Sequence, residues 1–244
     1  MAPMSDTSAS DFAPKTARVW LSSDKPMARI ARNLLWLMSG KGVGAVLSLV
    51  YLGIATRTLG VVQFGYFALI LSMGSAIALL AQFDSWRVVI RFGAAHLHAG
   101  QTEALGRLVA ACRIFDVVGF LIGAAIAWGS TELLVHLGQW DRQSARDALW
   151  YCLAVLASIH STPMGVLRIH HRFDLSTYAE TMVPVARMAG AVAVLLLKPD
   201  VTGFLIAWAA SELVAAVCFW LLAWRIDPDA LAWRHSRHFL QTFR

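Results

Sequence analysis

Six stretches of this sequence run for about 20 or more mostly apolar residues, and short polar connections separate them. A helix needs about 20 such residues to cross the hydrocarbon of a bilayer. The runs are Leu34–Thr56, Val61–Phe83, Leu108–Val135, Ala148–Leu167, Tyr178–Leu197 and Val201–Trp224. None alternates apolar with polar residues, as the strands of a membrane barrel would. Buried helices of a soluble domain fail on supply. Only 15% of residues are charged, against roughly 25% in soluble domains, and the mean hydropathy is +0.59. Six such runs leave too few polar residues to clothe a soluble surface. The expected fold is an all-α integral membrane protein, a six-helix transmembrane bundle.

The connections set an expected orientation. Residues 1–26 read as a disordered tail, 27–225 as the transmembrane domain and 226–244 as an amphipathic basic tail. The tails and two alternate connections hold fourteen Lys and Arg: Lys15, Arg18, Lys25, Arg29, Arg32, Arg87, Arg91, Arg107, Arg168, Arg172, Arg225, Arg234, Arg237 and Arg244. The opposite connections hold four, Arg57, Arg142, Arg146 and Lys198. Cationic loops stay in the cytoplasm, so both termini are expected there. "ATRTLGVVQFG" (55–65) then becomes the outer neck between the first two helices, with its non-helical piece at the interface. Trp36, Trp128, Trp140, Trp150, Trp220 and Trp224 stand near run ends, where an aromatic belt belongs. The net charge of +6 sits beside apolar runs, not on a polar domain, so nucleic acid is not an expected partner.

Several ionisable groups remain at membrane depth. A charge there costs roughly 2.5–3.5 kcal/mol on insertion scales, so each calls for a cavity or a partner. Lys41 and Arg113 lie near one end of their helices and are long enough to reach the interface. Arg113 and Asp116, three residues apart, share a helical face; they either satisfy each other or line a polar cavity. Arg187 and Glu212 fall at matching depth on adjacent runs. They form a structural ion pair, or Arg187 holds an anionic headgroup that Glu212 helps release. His160 is near mid-depth, bonded to a neighbouring helix or lining the path. Glu132 stands at a solvated end. Gly40/Gly44 and Gly119/Gly123 have the spacing of close helix contacts.

Cys112, Cys152 and Cys218 lack metal-type spacing. "GKGVG" lacks the first glycine and the Ser/Thr of a phosphate loop. The adjacent histidines of "RIHHRFD" point apart on a helix. No catalytic constellation is present, and neither metal nor cofactor is expected.

Taken in order, these segments resemble the start of bacterial polysaccharide flippases, the oligosaccharide-lipid exporters of the multidrug/oligosaccharidyl-lipid/polysaccharide superfamily. "ARNLLWLMSGKGVGAVLSLVYLGIATRTLGVVQFGYFAL" carries the Asn and Trp before the first helix (Asn33, Trp36), the exit "ATRTLG" and the return "FGYFAL". "RVVIRFGA" is similar to the basic stretch after helix two, "PMGVLRIHHRFDLSTYAE" to the connection after helix four, and "VARMAG" to the arginine-bearing fifth helix. The resemblance covers residues 28–244. It implies transport of an undecaprenyl-diphosphate-linked oligosaccharide from the inner to the outer leaflet, within membrane lipid, by alternating access around a cationic cavity. Arginine suits such cargo because its charge is permanent and its donors are multidentate. Arg113 and Arg187, then Lys41, are the expected substrate contacts, and Asp116, Glu212 and His160 the coupling or counter-ion groups. The family usually has twelve or more helices, so six correspond to one N-terminal half; a homodimer or a second half-transporter chain would complete it. The competing expectation is a non-transporting subunit or scaffold of a glycan-assembly complex. A drug antiporter would need acidic cavity groups.

Overall fold

The computed structural model describes the backbone of residues 24–197 and 199–232, and the side chains from residue 44 onward. The expected tails, apart from 24–26 and 226–232, and Lys198 lie outside the described residues, as do the side chains of Asn33, Trp36 and Lys41 and the packing of Gly40. Two units divide the chain, residues 1–43 and 44–244. In the first, residues 24–43 are helical backbone. The second holds the described side chains and their packing.

Among the described residues every element is helical. They are α1 (Asp24–Ala81), α2 (Ser85–Val88), a π-helical turn (Val89–Gly93), α3 (Ala94–His98), α4 (Thr102–His136), α5 (Arg142–Ala157), α6 (Ser161–Ile169), α7 (Phe173–Leu197) and α8 (Val201–Ile226). Five helical segments are long and apolar enough to cross a membrane: 44–98, 102–136, 142–169, 173–197 and 201–226.

The first of these is far longer than a bilayer requires, and Gly60 divides it. Its φ of 70° and ψ of 175° are non-helical, in a region that essentially only glycine occupies. Sixteen residues of unbroken helix would separate Tyr51 from Phe67 by about 24 Å. Yet both rings meet the edge or face of Trp208, at centroid distances of 4.7 and 5.2 Å. The two limbs, 44–59 and 61–81, therefore fold back on each other at Gly60. The neck is narrower than "ATRTLGVVQFG" suggests: Arg57 and Gly65 are both helical, and a single glycine makes the turn. A Cβ at Gly60 would meet nothing within 4 Å, so Gly60→Ala is opposed by backbone strain alone. It should destabilise the protein by about 1–3 kcal/mol, measurable as a lower Tm in detergent.

Two further breaks occur, one at the end of the second expected run and one inside the fourth. The second run ends at Ala81, three residues are non-helical, and the helix restarts at Ser85. The fourth run, expected as one helix over 148–167, is two: α5 and α6, with Ser158–His160 between them. Pro163 lacks an amide hydrogen, which costs no helical bond in a first turn, and it occupies the first turn of α6.

Packing follows small residues. A Cβ on Gly119 would stand 2.3 Å from the Ala81 carbonyl oxygen, and one on Gly123 would stand 2.8 Å from the Ala81 Cβ. The expected Gly119/Gly123 contact is thus made, against the end of the second limb. One apolar core gathers Tyr51, Phe67, Trp140, Phe204 and Trp208 toward the Gly60 end; a second gathers Val89, Leu105, Val166, Phe219 and Leu231 toward the other. Outward-facing side chains are also apolar, among them Leu49, Val61, Leu79, Leu196 and Leu197. That is the surface of a protein dissolved in lipid. Trp128, Trp150 and Trp224 are exposed, as a belt requires, but Trp140 is buried in the core.

At the Gly60 end Asp141 caps α5, accepting hydrogen bonds from the Gln143 and Ser144 amides. The Ser144 hydroxyl holds its carboxyl below the usual carboxylate range. A depressed pKa gives stabilisation that is complete above the unfolded-state value and fades as pH falls through the folded one. Fraying of the first turn of α5, followed by amide NMR, should therefore begin as pH falls through the ordinary Asp range and complete below it, and Asp141→Asn should remove the pH dependence.

Candidate functional site

Helix α8 is the spine on which the membrane-depth charges converge. Its first turn is fixed by Asp200, whose carboxylate accepts from the Gly203 amide. It packs most heavily on α7, where Gly190 lets the backbones approach: a Cβ there would stand 2.7 Å from that of Ala207.

One turn before Gly190, Arg187 reaches across to α8. Its guanidinium donates to the Glu212 carboxylate, to Ser211 Oγ at 3.2 Å and to the Tyr51 hydroxyl at 3.2 Å. It also lies 5.4 Å from the Trp208 ring centroid, a cation–π distance. The pair expected from matching depth is formed, with 20% of the arginine and 25% of the glutamate side chain exposed. A guanidinium so placed is charged and oriented by four neighbours, and its side chain is not fully buried.

Arg113 meets α8 about 12 Å further along its axis, over the Trp220 ring, and donates to the Leu231 carbonyl oxygen at 2.9 Å. That carbonyl belongs to the turn after α8. Asp227 fixes the turn, accepting from the Ala230 amide and pairing with His170 Nε2 at 3.1 Å. Arg113 and Asp116 share a face but turn to different partners. Asp116 accepts from Ser85 Oγ at 2.6 Å and from the Thr162 hydroxyl. His160 stacks on Phe219 of α8 with ring centroids 4.3 Å apart, and one ring nitrogen contacts the Ser158 carbonyl.

The structure thus joins Arg187 to Glu212, places His160 and Arg113 further along the same helix, and holds Asp116 between two helix breaks. Lys41's side chain lies outside the described residues. Grooves at the Gly60 end, one lined by Glu132, Arg142 and Arg146 and another by Gln63, Tyr66, Asp147 and Asp200, include neither Arg113 nor Arg187. Among the described residues no His, Cys, Asp and Glu cluster of metal-binding type occurs.

Sequence reasoning missed Tyr51, Ser211, Ser85, Ser161 and Thr162. All are small or neutral polar residues that an apolar run hides. The Pro163 that follows Ser161 and Thr162 carries a signal for that break.

Residues 30–243 match the family described as "Polysaccharide biosynthesis protein". The inner membrane protein YghQ of Escherichia coli (strain K12) is 31% identical over 206 residues, which make up 83% of this chain and 57% of that protein. The chain therefore spans a little over half the length of that curated relative. No solved structure matches it significantly. Apolar helices, charged side chains held at depth and the match over 30–243 together make the chain a multi-pass membrane protein of the polysaccharide biosynthesis family, which is a family of flippases.

Proposed function

We propose that this chain moves a lipid-diphosphate-linked oligosaccharide across the inner membrane, acting as one half of a flippase whose other half is a second chain or a second copy. One observation carries the reading. Arg187 keeps a permanent charge at membrane depth, in a polysaccharide biosynthesis family member, with 20% of its side chain still exposed. A diphosphate cannot enter hydrocarbon bare, and a prenyl tail has no need to leave it. Arg187 offers the multidentate donors such a headgroup requires; Glu212 holds the arginine between passages, and the incoming anion displaces it. Arg113 is the second contact, freed when the Asp227–Leu231 turn moves. In this reading the first segment contributes two spans joined at Gly60, giving six, and both termini face the cytoplasm.

The Arg187–Glu212 pair also favours a second reading, a non-transporting subunit of a glycan-assembly complex in which the pair is only structural. Cells carrying Arg113→Ala, or Arg187→Ala together with Glu212→Ala so that no carboxylate is orphaned, separate the two. The flippase reading expects loss of surface polysaccharide and accumulation of the lipid-linked unit at normal protein levels; the scaffold reading expects both unchanged.

A further inference from the structure

The two helix breaks inside the spans meet each other. Broken backbone at membrane depth is tolerated only where protein or a water-filled cavity satisfies the freed groups. Here the Trp86 amide, just past the first break, donates to Ser161 Oγ at 3.1 Å, and Ser161 Oγ lies 3.4 Å from the Phe83 carbonyl inside that break. Asp116, near the middle of α4, joins both restarts through Ser85 and Thr162. It is only partly buried. A carboxylate is costly at this depth, and the bridging geometry alone does not require one. An asparagine would accept the same hydroxyls without the charge.

We propose that Asp116 is a proton-binding site. Serine and threonine hydroxyls donate or accept with equal ease. When the carboxylate takes a proton, one hydroxyl rotates from donor to acceptor, so both contacts survive in either state. The proton comes from water and returns to water; no other bond forms or breaks. The titratable and charged groups around it are Cys112 and Arg113 on its own helix, Asp84 and Arg87 beside the first break, and His160 in the second. Cys112 Sγ contacts the Ser85 carbonyl and His160 is stacked on Phe219, so of these titratable groups Asp116 is the one that bonds to both restarts. Neutralising it replaces two charge-assisted bonds with weaker neutral ones, and so loosens one of the ties between 85–98 and 161–169 while the Trp86–Ser161 bond remains. This consequence, coupling proton uptake to alternation, rests on the flippase reading; proton binding itself does not.

The test is an infrared pH titration of the purified full chain in lipid nanodiscs. In the difference between wild type and Asp116→Asn, a protonated-carboxyl band should appear as pH falls from about 9 to 4. Thr162→Val removes one donor to the anion and should raise the midpoint by about one to two pH units; it decides the matter if Asp116→Asn does not fold. No difference band between wild type and Asp116→Asn, a midpoint unmoved by Thr162→Val, or a difference band that responds to sodium at fixed pH overturns the proposal. Translocation of a lipid-linked oligosaccharide, followed in the same preparation, keeps the two readings apart. A titrating Asp116 in a chain that moves no lipid removes the flippase and leaves the proton site; translocation with a silent Asp116 does the reverse.

Discussion

Replacing Arg187 with alanine should reduce translocation of the lipid-linked unit by roughly 10- to 150-fold, the loss expected for one hydrogen bond to a charged group at about 1.5–3 kcal/mol. The same change leaves Glu212 partly buried without its partner, which costs about 3–5 kcal/mol. Transport and stability therefore fall together, and the single variant cannot assign a role. The double variant Arg187→Ala/Glu212→Ala does so. With no orphaned carboxylate it should regain most of the lost stability, since a buried ion pair contributes little net. Transport should stay lost, because the diphosphate still lacks its cation. Arg187→Lys should fold and transport weakly: it keeps the charge but not the planar fork that holds Ser211, Tyr51 and Glu212 at once. Thermal melts in detergent beside a vesicle assay read both effects.

The second large effect concerns the fold itself. Gly119→Ala should be strongly destabilising, at the upper end of or beyond the roughly 1–3 kcal/mol typical of overpacking. Its Cβ would press to 2.3 Å on the Ala81 carbonyl oxygen, and backbone does not yield as a flexible side chain would. The end of the second limb, from which the first break begins, would have to move. Gly129→Ala lies on the same helix and meets nothing within 4 Å. There the added methyl only restricts the unfolded chain and improves helix propensity, a gain of about 0.5–1 kcal/mol. The same substitution ten residues apart should thus change sign, as Tm or the yield of monodisperse protein will show.

The all-helical membrane character is legible in the sequence because lipid imposes one simple demand, long apolar runs with internally bonded backbone. The Arg187–Glu212 pair is legible because helices rise uniformly, so counting residues gives depth. The breaks are not. Gln82–Asp84 sits at the end of an apolar run that reads as a simple terminus, and Ser158–His160 lies inside a run whose average hydropathy conceals it. Hydropathy reports side chains, while a break is a backbone event that only Pro163 announces. Asp116's partners are out of reach for a related reason. Ser85 and Thr162 lie 31 and 46 residues away, and only the meeting of the two breaks brings them to one carboxylate. Spacing alone sets Arg113 beside Asp116; its contact with Leu231 depends on a turn that folds back after α8.

The proposed function requires Arg187 to hold a passing anion as well as Glu212. The most direct measurement is equilibrium binding of a short-chain prenyl diphosphate to the purified chain and to its Glu212→Gln and Arg187→Ala/Glu212→Ala variants, in nanodiscs without anionic lipid. The protein should bind, Glu212→Gln should bind tighter because its competing carboxylate is gone, and the double variant should bind at least tenfold more weakly than wild type. Equal affinity in all three proteins would contradict that role and leave the ion pair a structural tie between α7 and α8.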